Sequence, residues 1–97
     1  MIHSRPDYNR IQDPALGCPN LCAPGTWPIK ADEPVILFRG QDKHFGAILA
    51  FYAELVANDS GVSDEQKEAI RAQLAEHGER AFAWQEANFS KSPDVPL

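Results

Sequence analysis

The sequence predicts a small α+β fold, mainly helical, with an irregular Pro-rich N-terminal arm, one short strand and an antiparallel helical hairpin. Three observations predict it. Five of the eight prolines fall before residue 30. One β-branched and aromatic run, Val35-Ile36-Leu37-Phe38, is bounded by Pro34 and Gly40. After it, two long stretches repeat their apolar residues at spacings of three and four, the period of a helix with one buried face.

The 97 residues are read as a single domain: an arm over 1–30, a strand plus hairpin over 31–89 and a tail over 90–97. A hydrophobic share of 43% belongs to a globular chain rather than a disordered one. The stock of large apolar residues is nevertheless small, because a chain of this size buries only about two-thirds of its unfolded surface. A large enclosed catalytic cleft is therefore not expected, and self-association is.

In the arm, Pro6, Pro14, Pro19, Pro24 and Pro28 remove backbone donors and fix φ, which leaves no room for a long helix or a central strand. Tyr8, Ile11, Leu16, Leu21, Trp27 and Ile29 are too many large apolar groups for a free tail, so the arm is expected to pack on its own helices or on a second subunit. The strand, at about 35–39, is apolar without alternation, which suggests burial on both faces. A lone buried strand leaves its backbone groups unpaired, so it must pair either with the N-terminal arm or with the same strand of a symmetry mate.

Gly40 allows a turn and Asp42 is a suitable N-cap for a first helix at about 43–58. Its stripe is Phe45, Ile48, Leu49, Phe51, Tyr52, Leu55 and Val56, and Phe51 widens it beyond what one neighbour can cover. Asn58-Asp59-Ser60-Gly61 ends it, with Gly61 suited to a left-handed turn. Ser63 and Gln66 then form a capping box, opening a second helix at about 64–88. Its stripe reads Ile70, Leu74, His77, Ala81, Trp84, which makes His77 a core or interface histidine. Gly78 interrupts this helix at a cost of about 1 kcal/mol relative to alanine. Tyr52 and Trp84, at helical spacing, are assigned to the core.

Charge narrows the function. The net charge is −5; residues 31–97 hold six basic against twelve acidic side chains. Such a surface repels phosphate backbones, so direct nucleic-acid binding is not expected. Glu65, Glu68, Glu76, Glu79 and Glu86 read as a solvated helix face. Cys18 and Cys22 would supply half a zinc site, but His3, His44 and His77 are scattered and offer no second couple. No metal and no cofactor are expected. Two reduced thiols are the expected state, with a local disulfide as the alternative in an oxidising compartment. His3 is placed in a mobile end. No nucleotide-binding glycine loop and no nucleophile elbow is present, so the chain is read as a non-enzyme with no catalytic residue.

One stretch invites a ligand. Phe38-Arg39-Gly40-Gln41-Asp42-Lys43-His44 feeds a strand through a glycine turn into a helix N-terminus, where free N–H groups suit an anion. Arg39, Gln41, Lys43 and His44 are the candidate ligand-binding residues. Trp27 and Tyr8, from the arm, are candidate walls of the pocket. The competing reading is a helix start capped by Asp42, with solvated charges around it.

Tyr8-Asn9-Arg10-Ile11-Gln12-Asp13-Pro14, Asp32-Glu33-Pro34-Val35, Arg39-Gly40-Gln41-Asp42 and the later Trp84-Gln85 together resemble a family of small phage and prophage proteins. The resemblance covers most of residues 8–86 and departs from the pattern at Cys18–Thr26. It implies a phage setting, in the cytoplasm of a bacterial host, where small acidic proteins counter defence. One route is a sponge, an oligomer that sequesters a small anionic nucleotide-derived signal. Another is direct inhibition of a bacterial defence protein by an acidic surface. A structural or accessory phage role is a third. No apolar run approaches the roughly 20 residues of a membrane span, and the N-terminus lacks the apolar stretch of a signal peptide, so no membrane partner is expected.

Overall fold

The computed structural model describes residues 2–8 and 32–97. Expectations for the rest of the arm, including Cys18, Cys22 and Trp27, lie outside the described residues. The chain divides into two compact units, one formed by residues 1–37 and 94–97, the other by residues 38–93. The architecture is mainly helical, with two helices and a short two-stranded parallel sheet.

The first unit contains the sheet. Strand β1 (Ile2–His3) pairs in parallel with β2 (Pro34–Val35), in the register Ile2 to Pro34 and His3 to Val35. The Ile2 N–H donates to the Glu33 carbonyl at 2.8 Å and the Ser4 N–H to the Val35 carbonyl at 3.0 Å. Of the two partners expected for the strand, the N-terminal arm supplies it. The strand is shorter than the expected 35–39. Pro34 has no N–H to give, and β1 offers only two residues, so the ladder ends at Val35. Ile36 and Leu37 consequently remain exposed, and the expected burial on both faces does not occur.

His3, expected in a mobile end, is instead a buried polar residue. Its ring meets that of Tyr8 edge to face at 5.5 Å, and the Arg5 guanidinium lies 5.0 Å over the Tyr8 ring centre. Tyr8 closes a short 3-10 turn, Pro6–Tyr8. The last residues reach the same unit: the Ser4 hydroxyl donates to the Leu97 carbonyl, and Arg5 pairs with Asp94 at 3.8 Å.

The second unit is built on helix α1 (Phe45–Ala57) and helix α2 (Asp64–Ala87). Helix α1 starts two residues later than the sequence suggested, and Asp42 is not its N-cap. The Asp42 carboxylate instead accepts the His44 N–H at 2.8 Å, and the Asp42 carbonyl accepts the Phe45 N–H at 3.0 Å. This side-chain turn uses up the residues that would have formed the first helical turn. His44 occupies the cap position with no side-chain cap bond. At the other end, the Asn58 backbone and side-chain amides both donate to the Glu54 carbonyl, at 3.2 and 2.9 Å. Gly61 does not adopt the expected left-handed conformation. Its N–H donates to Asp59 at 2.8 Å, and a Cβ there would lie 3.2 Å from the same carboxylate oxygen. A side chain at this position would make the Asp59 carboxylate shift by a few tenths of an ångström.

The capping box of α2 is present as expected. The Ser63 hydroxyl accepts the Gln66 N–H, and the Gln66 side chain accepts the Ser63 N–H, both at 3.1 Å. The apolar stripe of α2, however, is rotated from the expected one. Half-buried or buried positions are Lys67, Ile70, Leu74, Gly78, Ala81 and Gln85, while His77 and Trp84 are exposed. The reason is Gln85. Its side-chain amide is drawn inward by two backbone carbonyls, Gly40 and Asp42, and a helix that turns Gln85 inward turns His77 and Trp84 outward.

The core of this unit is thin. Among the described residues, Val56 and Ala81 are the buried apolar ones, and no large side chain is fully enclosed. Leu49 and Ala53 of α1 share a shallow groove of about 210 Å³ with Leu74, Ala75 and Gly78 of α2. Gly40 comes close to Ala81, where an added Cβ would stand 3.9 Å from the Ala81 Cβ.

Candidate functional site

A helix of 13 residues has about three and a half turns, and one neighbour covers only one side of it. In α1, Leu49 and Ala53 share the groove with α2, and Val56 is buried. Those left over carry some of the largest apolar side chains of the helix. His44, Ala47, Ile48, Phe51, Tyr52 and Leu55 lie on one side of the helix, each with another of the set three or four residues away, and line an open depression of about 440 Å³. Phe51 is 63% exposed, and Tyr52 and Leu55 are each 54% exposed. Tyr52 was expected in the core and is not there. The six lining residues include no Asp, Glu, Lys or Arg. Burying a side chain of this kind fully is worth about 1.5–3 kcal/mol, so more than half of that return is unclaimed at three adjacent positions.

The residues predicted to bind a ligand are distributed as follows. Arg39, Gln41, Lys43 and His44 fall together on the turn that enters α1, with Arg39, Lys43 and His44 exposed and Gln41 half-buried. Tyr8 belongs to the first unit, beside His3 and Arg5. Trp27 lies outside the described residues. At the turn, much of the backbone is already bonded. Lys91 forms a bridge to it, donating its N–H to the Gln41 carbonyl at 2.9 Å and accepting the Lys43 N–H at 3.0 Å. The His44 N–H is taken by Asp42. The donors that would hold an anion at the helix start are thus partly consumed by the protein itself. The Arg39 and Lys43 side chains make no ion pair among the described residues.

Further apolar exposure occurs around the end of α2. Phe82 is 64% exposed, and Trp84 meets Phe89 edge to face at 5.5 Å with both rings largely open to water. Trp84, like Tyr52, was assigned to the core and is not there. Among the described residues, Glu68, Arg71 and Arg5 are displaced from their ordinary behaviour. A side-chain hydrogen bond to Arg71 holds the Glu68 carboxyl below the usual range, and the same contact raises Arg71. A hydrogen bond to Asp7 raises Arg5.

Family models, curated proteins and solved structures give no match to this chain.

Among the described residues no cluster of three or more His, Cys, Asp or Glu side chains is arranged to hold a metal ion. Among them, too, no helix is long and apolar enough to cross a membrane. The signal that could have found the α1 face was present in the sequence. The stripe was too wide for a single neighbour, and the surplus lay at Phe51.

Proposed function

We propose that this chain is a non-enzymatic binding protein that works by docking to protein, with the outer face of α1 as its association surface. The observation that carries the reading is the exposure of Phe51, Tyr52 and Leu55 side by side on one helix face. Apolar patches of this kind mark interaction surfaces, because leaving them in water costs stability and solubility. The reading takes α1 and α2 as an antiparallel hairpin. Two links support that: Lys67, in the first turn of α2, donates to the carbonyl of Ala57 at the end of α1, at 2.9 Å, and Gln85, in the last turn of α2, reaches Gly40 and Asp42 ahead of α1.

In the phage setting that the resemblance implies, a docking protein of this kind suits inhibition of a bacterial defence protein by contact, with the acidic balance of residues 31–97 meeting a basic site on that partner and the apolar α1 face left to a separate protein contact. A photo-reactive amino acid at position 51, compared with one at position 65, tests the surface in cells. Position 51 is expected to give defined cross-linked species that disappear with Leu55→Glu. Equal yields from both positions, or none from position 51, would contradict the reading.

A second reading is the sponge, in which Arg39, Gln41, Lys43 and His44 hold a small nucleotide-derived anion. What favours it is the exposure of Arg39 and Lys43 with no ion-pair partner among the described residues. A thermal-shift panel of cyclic nucleotides and ADP-ribose derivatives tests it; stabilisation abolished by Arg39→Ala is the expected result. No shift with any member of the panel removes this reading.

A further inference from the structure

We infer that the occupant of the α1 face is a second copy of this chain, in a two-fold dimer built on Phe51 and its neighbours. The inference rests on the reading of that face as an association surface and names its partner.

Charge is the first argument. Residues 31–97 carry twelve acidic against six basic side chains, with a local basic turn at Arg39 to His44, so two copies repel each other through much of that surface. In a two-fold contact each residue meets the same surface of its twin, so any net charge on the patch opposes itself. The six residues that line the depression include no carboxylate and no Lys or Arg, and the exposed Glu54 stands at its border, three residues from Phe51. An acidic chain can present this surface to itself at less electrostatic cost than its carboxylate-rich faces. A basic partner would be drawn to the carboxylates of α2, not to this face.

Area is the second. With side chains of about 150–250 Å² each, the open fractions of Phe51, Tyr52 and Leu55, 63%, 54% and 54%, amount to roughly 350 Å². The partly open Ala47, Ile48 and His44 bring the face to roughly 500 Å² per copy. With every exposed part of these six residues covered, two copies bury about 1,000 Å² in total, below the roughly 1,200 Å² of standard stable interfaces and in the range of weak, transient ones. The face is thus large enough to close a dimer with itself and small enough to let it dissociate on dilution. Helix α1 is about 20 Å long, and the apolar patch is spread along most of it, so crossing two copies near Phe51 covers both patches together.

Sedimentation equilibrium of the full chain from micromolar to millimolar concentration reads the outcome. The mass is expected to rise with concentration to twice 10.7 kDa. Phe51→Glu is expected to hold it at the monomer mass while the helical circular dichroism is retained. Mixing Phe51→Glu with Phe51→Lys is expected to restore the dimer, because position 51 then faces its opposite charge. A wild-type chain that stays monomeric at millimolar concentration overturns the inference, as does a dimer that survives both Phe51→Glu and Leu55→Glu. Should the variants unfold, wild-type samples mixed from labelled and unlabelled chains decide it. Intermolecular ring contacts at Phe51 or Tyr52 support the dimer, and their absence at millimolar concentration contradicts it. A monomeric chain that still gives a defined cross-link from position 51 in cells loses the second copy as occupant and keeps the docking surface. A monomeric chain with no such cross-link loses both.

Discussion

The Gln85 side chain donates one amide hydrogen to the Gly40 carbonyl at 2.7 Å, tying the last turn of α2 to the turn that precedes α1. Its second amide hydrogen goes to the Asp42 carbonyl at 3.0 Å. Two backbone acceptors in a part-buried position share this one side chain, and the Asp42 carbonyl also accepts the Phe45 N–H. Gln85→Ala should therefore cost about 1–3 kcal/mol, since it leaves both carbonyls without this donor. Gln85→Glu should cost more at neutral pH, because a carboxylate placed against two carbonyls repels them. Urea unfolding of the three chains checks this; equal midpoints would show that the link contributes nothing.

Gly78 points the other way. An added Cβ there meets nothing within 4 Å. Gly78→Ala should raise stability by about 1 kcal/mol, the helix-propensity difference between the two residues. A loss of stability would mean that the shallow groove beside Leu74 and Ala75 is filled in solution.

How far the fold could be read in advance differs from element to element. The capping box at Ser63 and Gln66 was legible because it is a local pattern in which two orphan donors satisfy each other. The start of α1 was not, because Asp42 has two local uses, as a cap or as the acceptor of a preceding turn, and the bridge from Lys91 decided between them. His77 and Trp84 shared the periodicity of the α2 stripe as well as Gly78 and Gln85 do. Only the long-range bond to Gly40 chose the rotation of the helix. His3 could not be placed from sequence, since its burial depends on a strand pairing across more than thirty residues. For the candidate sites, the basic turn at Arg39 to His44 was visible as a cluster. Tyr52 was assigned to the core because spacing tells that a helix has an apolar face, not whether anything covers it.

Ser63→Ala tests the capping box itself. The substitution removes the acceptor for the Gln66 N–H and should lower stability by about 1 kcal/mol. The far-ultraviolet dichroism at low urea should stay the same, because packing against α1 holds the rest of α2. A change in helical content without denaturant would contradict this picture.

The Glu68 carboxyl, held low by Arg71, gives a pH signature. Its folded value lies below its unfolded one, so its contribution to stability is present at neutral pH and is lost as the pH falls through the folded value. The pair is exposed, and the effect on stability should be small. Carbon-detected titration should show Glu68 protonating at lower pH than the ordinary glutamate range, and returning to that range in Arg71→Ala.

Coverage of the outer α1 face in the working protein is read by hydroxyl-radical footprinting inside the cell that makes the chain, with the diluted purified chain as reference. Phe51 and Tyr52 are predicted to be oxidised several-fold more slowly in the cell than in the diluted chain, while residues exposed on α2 such as His77 change little. Oxidation of Phe51 and Tyr52 at the same rate in both settings would contradict that coverage.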